Sequence, residues 1–196
     1  MKEKILHNAT EMFLNIGFKS ITMDDIANNS GISKKTIYAH FSNKTELVKT
    51  VTLHIFDIVK KGVDLIHAQE QNPIIELFEI KRFVMKHLKD EKSSPQYQLQ
   101  KYYPKIYKTL KQKQFKVMQE LIKENLAKGI KQKLFRATID IDFTARIYFH
   151  GMVGIKDKDL FPLENNSMNT LTTNHLEYHL RGISTDKGIK ELEKQL

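Results

Sequence analysis

Lys34, Lys35, Thr36, Tyr38, His40 and Lys44 lie close together in the chain, and each ends in a hydrogen-bond donor. Ile37 and Phe41, four residues apart, interrupt them on what would be the opposite face of a helix. Ammonium, hydroxyl and imidazole donors on one short amphipathic segment suit a partner rich in acceptor oxygens. Duplex DNA is such a partner, with phosphates along its backbone and purine acceptors in its major groove. Lys35 and Thr36, nearest the start of the segment, are placed to reach base edges, Lys35 towards guanine acceptors. An ordinary solvated helix face would carry similar residues, so the segment must be judged by what holds it.

What precedes it is a helix and a tight turn. Thr22 can cap a helix, and Asp25 three residues on completes a capping-box pattern. Asp24 and Asp25 fall in its first turn, where the helix dipole favours negative charge. Ile26 and Ala27 supply an apolar side. Asn28, Asn29, Ser30 and Gly31 end the helix, Gly31 because it can take the left-handed conformation. Ile32 plugs the turn and Ser33 caps the donor-bearing helix. This is a helix-turn-helix pattern, with the second helix sized for a major groove.

Further residues stand in order around that core: Gly17-Phe18, Thr22 before Ile26-Ala27, Gly31-Ile32-Ser33, the run from Thr36 to Phe41, and Lys44-Thr45-Glu46-Leu47. Together they resemble the N-terminal DNA-binding domain of the TetR-type transcriptional regulators, over about the first quarter of the chain. The resemblance implies a DNA-binding domain over residues 1–47 and a helical effector-binding and dimerisation domain over 48–196. It implies phosphate contacts from Thr22, Tyr38, His40 and Lys44. It also implies a cytoplasmic homodimer on a palindromic operator, in which a small-molecule effector releases a repressor from DNA. A dimer would place its recognition helices about 34 Å or a multiple apart.

Composition narrows the rest. The chain has 196 residues and no cysteine, which removes disulfides, thiolate metal ligands and cysteine nucleophiles. No stretch approaches the roughly 18 apolar residues of a membrane span, and the N-terminus has scattered charges rather than an apolar leader. The net charge is +9, but its distribution is uneven. Residues 1–50 carry +2, residues 51–79 carry −3, residues 80–136 carry +12 and residues 137–196 carry −2. The basic excess therefore lies in the middle of the chain rather than in the helix-turn-helix.

The periodicity predicts an all-α fold of about nine helices. Lys2 to Ile16 forms a first helix stopped by Gly17, with Phe13 and Phe18 packing on Ile26, Ile37 and Phe41. A long helix runs from Ser42 or Asn43 towards Ala68 and is expected to carry any change of state between the domains. Pro73 starts a helix to Lys89, and residues 90–95 read as a loop. A Tyr-rich segment from Gln96 to Gln112 is broken or kinked at Pro104, and another helix runs from Phe115 to Lys131. Asp140 caps the next, residues 156–166 form a loop, and Ser167 to Arg181 is the last long helix before a short amphipathic tail.

The resemblance implies that the helices between Pro73 and Lys131 enclose an effector pocket, and they supply an apolar and aromatic set suited to one: Phe78, Phe83, Met85, His87, Tyr103, Tyr107, Phe115 and Met118. Arg82 and Arg146 could pair an anionic or amphipathic effector. The last two long helices offer a dimer surface with Phe143, Ile147, His150, Gly151, Gly154, Leu171, His175, Tyr178 and His179. His175 and His179 share a face at metal-binding spacing, but a third ligand is lacking and no metal or cofactor is expected. There is no phosphate-cradling glycine loop and no nucleophile elbow, so an enzyme is not expected. The alternative reading is a non-specific nucleic-acid-binding or chromatin-organising protein that uses the lysines of residues 80–136.

Overall fold

The computed structural model describes residues 1–89, 94–162, 164 and 166–196. Among the described residues the chain forms ten α-helices: α1 (Lys2–Ile16), α2 (Met23–Ser30), α3 (Lys34–Tyr38), α4 (Lys44–His67), α5 (Pro73–His87), α6 (Pro95–Tyr102), α7 (Pro104–Lys131), α8 (Ile141–Gly154), α9 (Met168–Ile183) and α10 (Asp186–Glu193). The all-α expectation holds. The tenth helix arises because Pro104 separates α6 from α7, and α7 then runs unbroken through Phe115. Most of the loop expected at 90–95, and Leu163 and Asn165 of the loop expected at 156–166, lie outside the described residues.

Helix starts follow the local chemistry. Thr22, Ser33, Asp140, Ser167 and Thr185 each accept a backbone N–H three residues on, and Asn72 accepts one from Ile74 beside Pro73. At the head of α4, Asn43 Oδ1 accepts the Glu46 N–H at 2.9 Å. The Glu46 carboxylate turns back to Ser42 instead, accepting its N–H at 2.7 Å and its hydroxyl at 2.6 Å.

The helices form two compact units. The first comprises Met1–Val59 with Glu91–Gln112, and the second Lys60–Asp90 with Lys113–Leu196. In the first, Ile5, Phe13, Phe18, Ile26, Ile37, Phe41, Leu47 and Val51 form one apolar core. Leu99 of α6 and Ile106 and Leu110 of α7 belong to that same core. The helix-turn-helix is thus completed by a segment far along the chain. Burial of these side chains is its main source of stability.

In the second unit α5, α7, α8, α9 and α10 share a core that includes Leu77, Phe78, Leu126, Phe135, Tyr148 and Leu176. Met85, Ile155, Met168 and Leu171 form a smaller cluster. Gly129 lies under the Phe135 ring, where a Cβ would collide, so this glycine permits close packing inside α7.

Candidate nucleic-acid interface

The turn geometry is built from short-range bonds. Thr22 and Asp25 complete a reciprocal capping box: Thr22 Oγ1 accepts the Asp25 N–H at 3.1 Å, while Asp25 Oδ2 accepts the Thr22 N–H at 2.8 Å. These bonds, with that from the Thr22 hydroxyl, hold the Asp25 carboxyl below its usual range. Gly31 closes α2 at φ 64, ψ 39, the left-handed region, and its N–H reaches back to Ala27 and Asn28. Ser33 then opens α3, its hydroxyl accepting the Thr36 N–H and lying 2.8 Å from the Thr36 hydroxyl. Lys34 pairs with Asp24 at 2.7 Å, tying the two helices together.

Beneath α3, Ile37 and Phe41 are sealed from solvent. Above it, Lys35 and Tyr38 point outwards, Tyr38 with 44% of its surface exposed. The helix ends at Tyr38, so His40, expected on its exposed face, sits half-buried in the following turn. Lys44 opens α4 and donates to the Lys19 carbonyl at 3.2 Å; partial burial lowers its pKa, and nearby Asp25 opposes that.

The donors therefore divide. Lys35 and Tyr38 stand unengaged by any hydrogen bond in the described residues. The Thr22 hydroxyl donates to Asp25 Oδ2 at 2.7 Å, and Lys34 carries an exposed ion pair that phosphate could replace.

Residues 5–51 match the family described as "Bacterial regulatory proteins, tetR family". Over those residues the chain is similar to the DNA-binding domain of that family.

Among its relatives, the HTH-type transcriptional activator FasR of Mycolicibacterium smegmatis is 38% identical over 60 residues, 31% of this chain and 27% of that protein. The negative transcriptional regulator IcaR of Staphylococcus epidermidis is 35% identical over 57 residues, 29% of this chain and 31% of that protein. These matches span under a third of the relatives' lengths. The fold likeness is wider. SmeT, the repressor of a Stenotrophomonas maltophilia multidrug efflux pump, superimposes with a TM-score of 0.70 over 95% of this chain and 91% of its own, at 16% identity. A TetR-family regulator from Agrobacterium tumefaciens gives 0.72 over 94% and 97%, at 17% identity.

The expected pocket residues are distributed over both units. Tyr103 and Tyr107 pack on the core of the first, and burial raises both phenol pKa values. Phe78 and Met118 belong to the main core of the second, and Met85 to its smaller cluster. Phe83 stacks on His87 with centroids 4.0 Å apart, and Phe115 meets Phe149 edge-on at 5.1 Å. Arg82 lies 3.9 Å from Glu79, and Arg146 donates to Asp142 at 2.6 Å. Both arginines thus have carboxylate partners, and Arg146 also covers the Phe115 ring.

The candidate dimer residues also divide. Phe143, Ile147 and Tyr178 are exposed by 63%, 48% and 81%, His150 is exposed, and a Cβ on Gly154 would meet nothing. Leu171 and His179 are buried, and Gly151 lies under His175. His175 and His179 flank the buried Tyr148 ring; desolvation lowers both pKa values, His179 to about 4. Among the described residues no group of three or more side chains could hold a metal ion, and no helix is long and apolar enough to cross a membrane.

Sequence reasoning missed Gln98. Its Oε1 accepts the Lys19 N–H at 3.0 Å, and its side chain covers Gly17, joining α6 to the turn after α1. No local signal announces a partner so distant in sequence. The lysines around it were legible only as charge.

Proposed function

We propose that this protein is a TetR-type, sequence-specific DNA-binding transcriptional regulator. It acts as a homodimer on a palindromic operator and represses until a small-molecule effector releases it. The observation that supports DNA binding most directly is the presentation of Lys35 and Tyr38. They project from a short helix fixed by a capping box, a left-handed glycine and two sealed apolar anchors. We take residues 1–47 as the DNA-binding domain and 48–196 as the effector-binding and dimerisation domain. The work of such a protein is done in the cytoplasm, and it needs no catalytic group.

One such helix reads only a few base pairs, so two copies related by a two-fold axis are needed for useful specificity. The exposed apolar groups Phe143, Ile147 and Tyr178 on α8 and α9 support a dimer through these helices. SmeT has been described in complex with triclosan, which supports a small-molecule effector for a fold of this kind. Linkage requires effector and operator to oppose one another reciprocally.

Selection of bound duplexes from a random pool tests the proposal. The expected result is one palindromic site, whose enrichment is lost when Thr36→Ala and Tyr38→Phe are combined. A pool that stays random while binding persists would favour the non-specific reading through the lysines of residues 80–136.

A further inference from the structure

Both ring nitrogens of His67 face carboxylates. Nδ1 lies 3.0 Å from Glu76 Oε1 on α5, and Nε2 lies 2.9 Å from Glu124 Oε2 on α7. An ionised carboxylate only accepts hydrogen bonds, and a neutral imidazole carries a single N–H. Both contacts are hydrogen bonds only while the ring is an imidazolium. Its place in the last turn of α4 also suits a cation, at the negative end of the helix dipole.

The two carboxylates differ in what they can do without the ring. Glu76 is wholly buried; Asn125 donates to its Oε1, and its Oε2 has no hydrogen-bond partner among the described residues. Taking His67 away as well would strand a buried charge on one amide donor, which is costly. Glu124 is exposed, and water replaces the ring there at little cost. Asp64 of α4 pairs with Lys60, Glu79 of α5 is engaged by Gln71 and Arg82, and Lys123 of α7 pairs with Asp142. Glu76 and Glu124 are the charges that act on the ring. A ring that loses its proton keeps its one N–H on Glu76. The bare Nε2 then faces a carboxylate across 2.9 Å, acceptor against acceptor, and Glu124 turns to water.

We propose that His67 and Glu124 form a proton-operated clasp between the end of α4 and α7, closed while the ring is charged and open once it is neutral. The hydrogen bond to Glu76, more than that to Glu124, keeps the proton on the ring past the usual histidine range, with partial burial opposing. Opening therefore belongs to the alkaline side. α4 starts at Lys44 in the candidate DNA interface and is unbroken to His67. Freedom gained at its end must be lost again when two recognition helices are held on one operator, so opening weakens operator binding. That consequence rests on the operator reading above.

The test measures affinity for the selected palindromic duplex from about pH 6 to about pH 9 at constant ionic strength, either side of the ordinary histidine range, for wild type and Glu124→Gln. The glutamine amide accepts from the charged ring and donates to the bare nitrogen, so the variant's clasp stays closed throughout. Glu124 is exposed, so the fold is not at stake. The ratio of the two affinities cancels the titration of His40 and other groups of the DNA face. Both proteins should bind alike at the acidic end, and wild type should fall behind by about fivefold at the alkaline end. The midpoint of that fall should match the titration of the His67 ring proton resonances. That titration should move to lower pH in the variant, which lacks one anionic partner. A ratio that stays level, or moves the other way, overturns the clasp's hold on operator binding and leaves the operator reading standing. A ring titration that is the same in both proteins overturns the clasp itself, even where no duplex is selected. Failure to select any duplex overturns the operator reading, and with it the clasp's effect on DNA.

Discussion

His67 Nδ1 lies 3.0 Å from Glu76 Oε1, and that glutamate is wholly excluded from solvent. The other ring nitrogen of His67 lies 2.9 Å from the exposed Glu124 carboxylate. Asn125, also fully buried, donates to the same Glu76 oxygen and to the Pro73 carbonyl. The end of α4 is thereby joined to α5 and α7 through one titratable ring. The Glu76 hydrogen bond is the chief cause that raises the His67 pKa, with desolvation opposing and Glu124 assisting.

A raised folded-state pKa fixes the sign of the pH dependence. His67 binds its proton more tightly when folded, so its stabilisation is fully present below the unfolded value of about 6.5 and fades as pH rises through the folded value. The His67→Gln protein should therefore melt below wild type by about 3 °C at acidic pH, a modest figure because the ring is partly exposed. The gap should shrink in alkaline buffer. Melting curves at pH 5.5 and pH 9 check this, and a gap that widens with pH would contradict it.

Gly17 and Gly31 both have positive φ, but for different reasons. Gly31, at φ 64, has open space around the site of a Cβ, so Gly31→Ala meets only the left-handed backbone cost of about 1 kcal/mol. Gly17 has φ 107 and ψ 158, a region that side chains hardly enter, and Gln98 lies against it. Gly17→Ala should cost roughly 3 kcal/mol and also loosen α6 from the turn. Urea midpoints followed by helix content would show the ranking, and equal midpoints would refute it.

These two glycines also show what was legible in the sequence. The Thr22 box, the Gly31 turn and the Ser33 cap close within three or four residues, so residue type and spacing are enough to read them. The docking of Gln98 on Gly17 joins residues far apart in sequence, and nothing local encodes it. Tyr103 and Tyr107 show a related ambiguity: aromatic periodicity looks the same on a core helix and on a pocket wall, and here both rings pack on the first unit's core. His40 was misplaced because α3 ends one turn earlier than its amphipathic pattern suggests.

The division of labour on the DNA face is measurable. Lys35→Ala should change which bases are preferred at one position of each half-site, relaxing discrimination there by about 1–3 kcal/mol. Tyr38→Phe and Lys44→Ala should weaken binding to all sequences alike, and Lys44→Ala should also lower the salt slope by about 0.9 per half-site. A binding panel across substituted operators, repeated at several salt concentrations, separates these outcomes. A Lys44→Ala protein that altered only the preferred sequence would contradict the assignment.

Tyr178 presents 81% of its surface to solvent in the single chain, and Phe143 presents 63%. Large aromatic groups gain by burial, and closely exposed apolar groups of this kind mark association surfaces. If they meet a second copy, a charge placed there would be buried without a partner in the dimer and would cost nothing in the monomer. Tyr178→Glu with Ile147→Glu should therefore give a folded monomer by sedimentation, with far-ultraviolet circular dichroism unchanged. Binding to a palindromic duplex should fall by at least about tenfold, because each monomer then holds one half-site alone. Ile16→Glu, an exposed apolar position on α1, serves as the control and should leave the oligomeric state intact. A double variant that still sediments as a dimer would move the interface away from these helices.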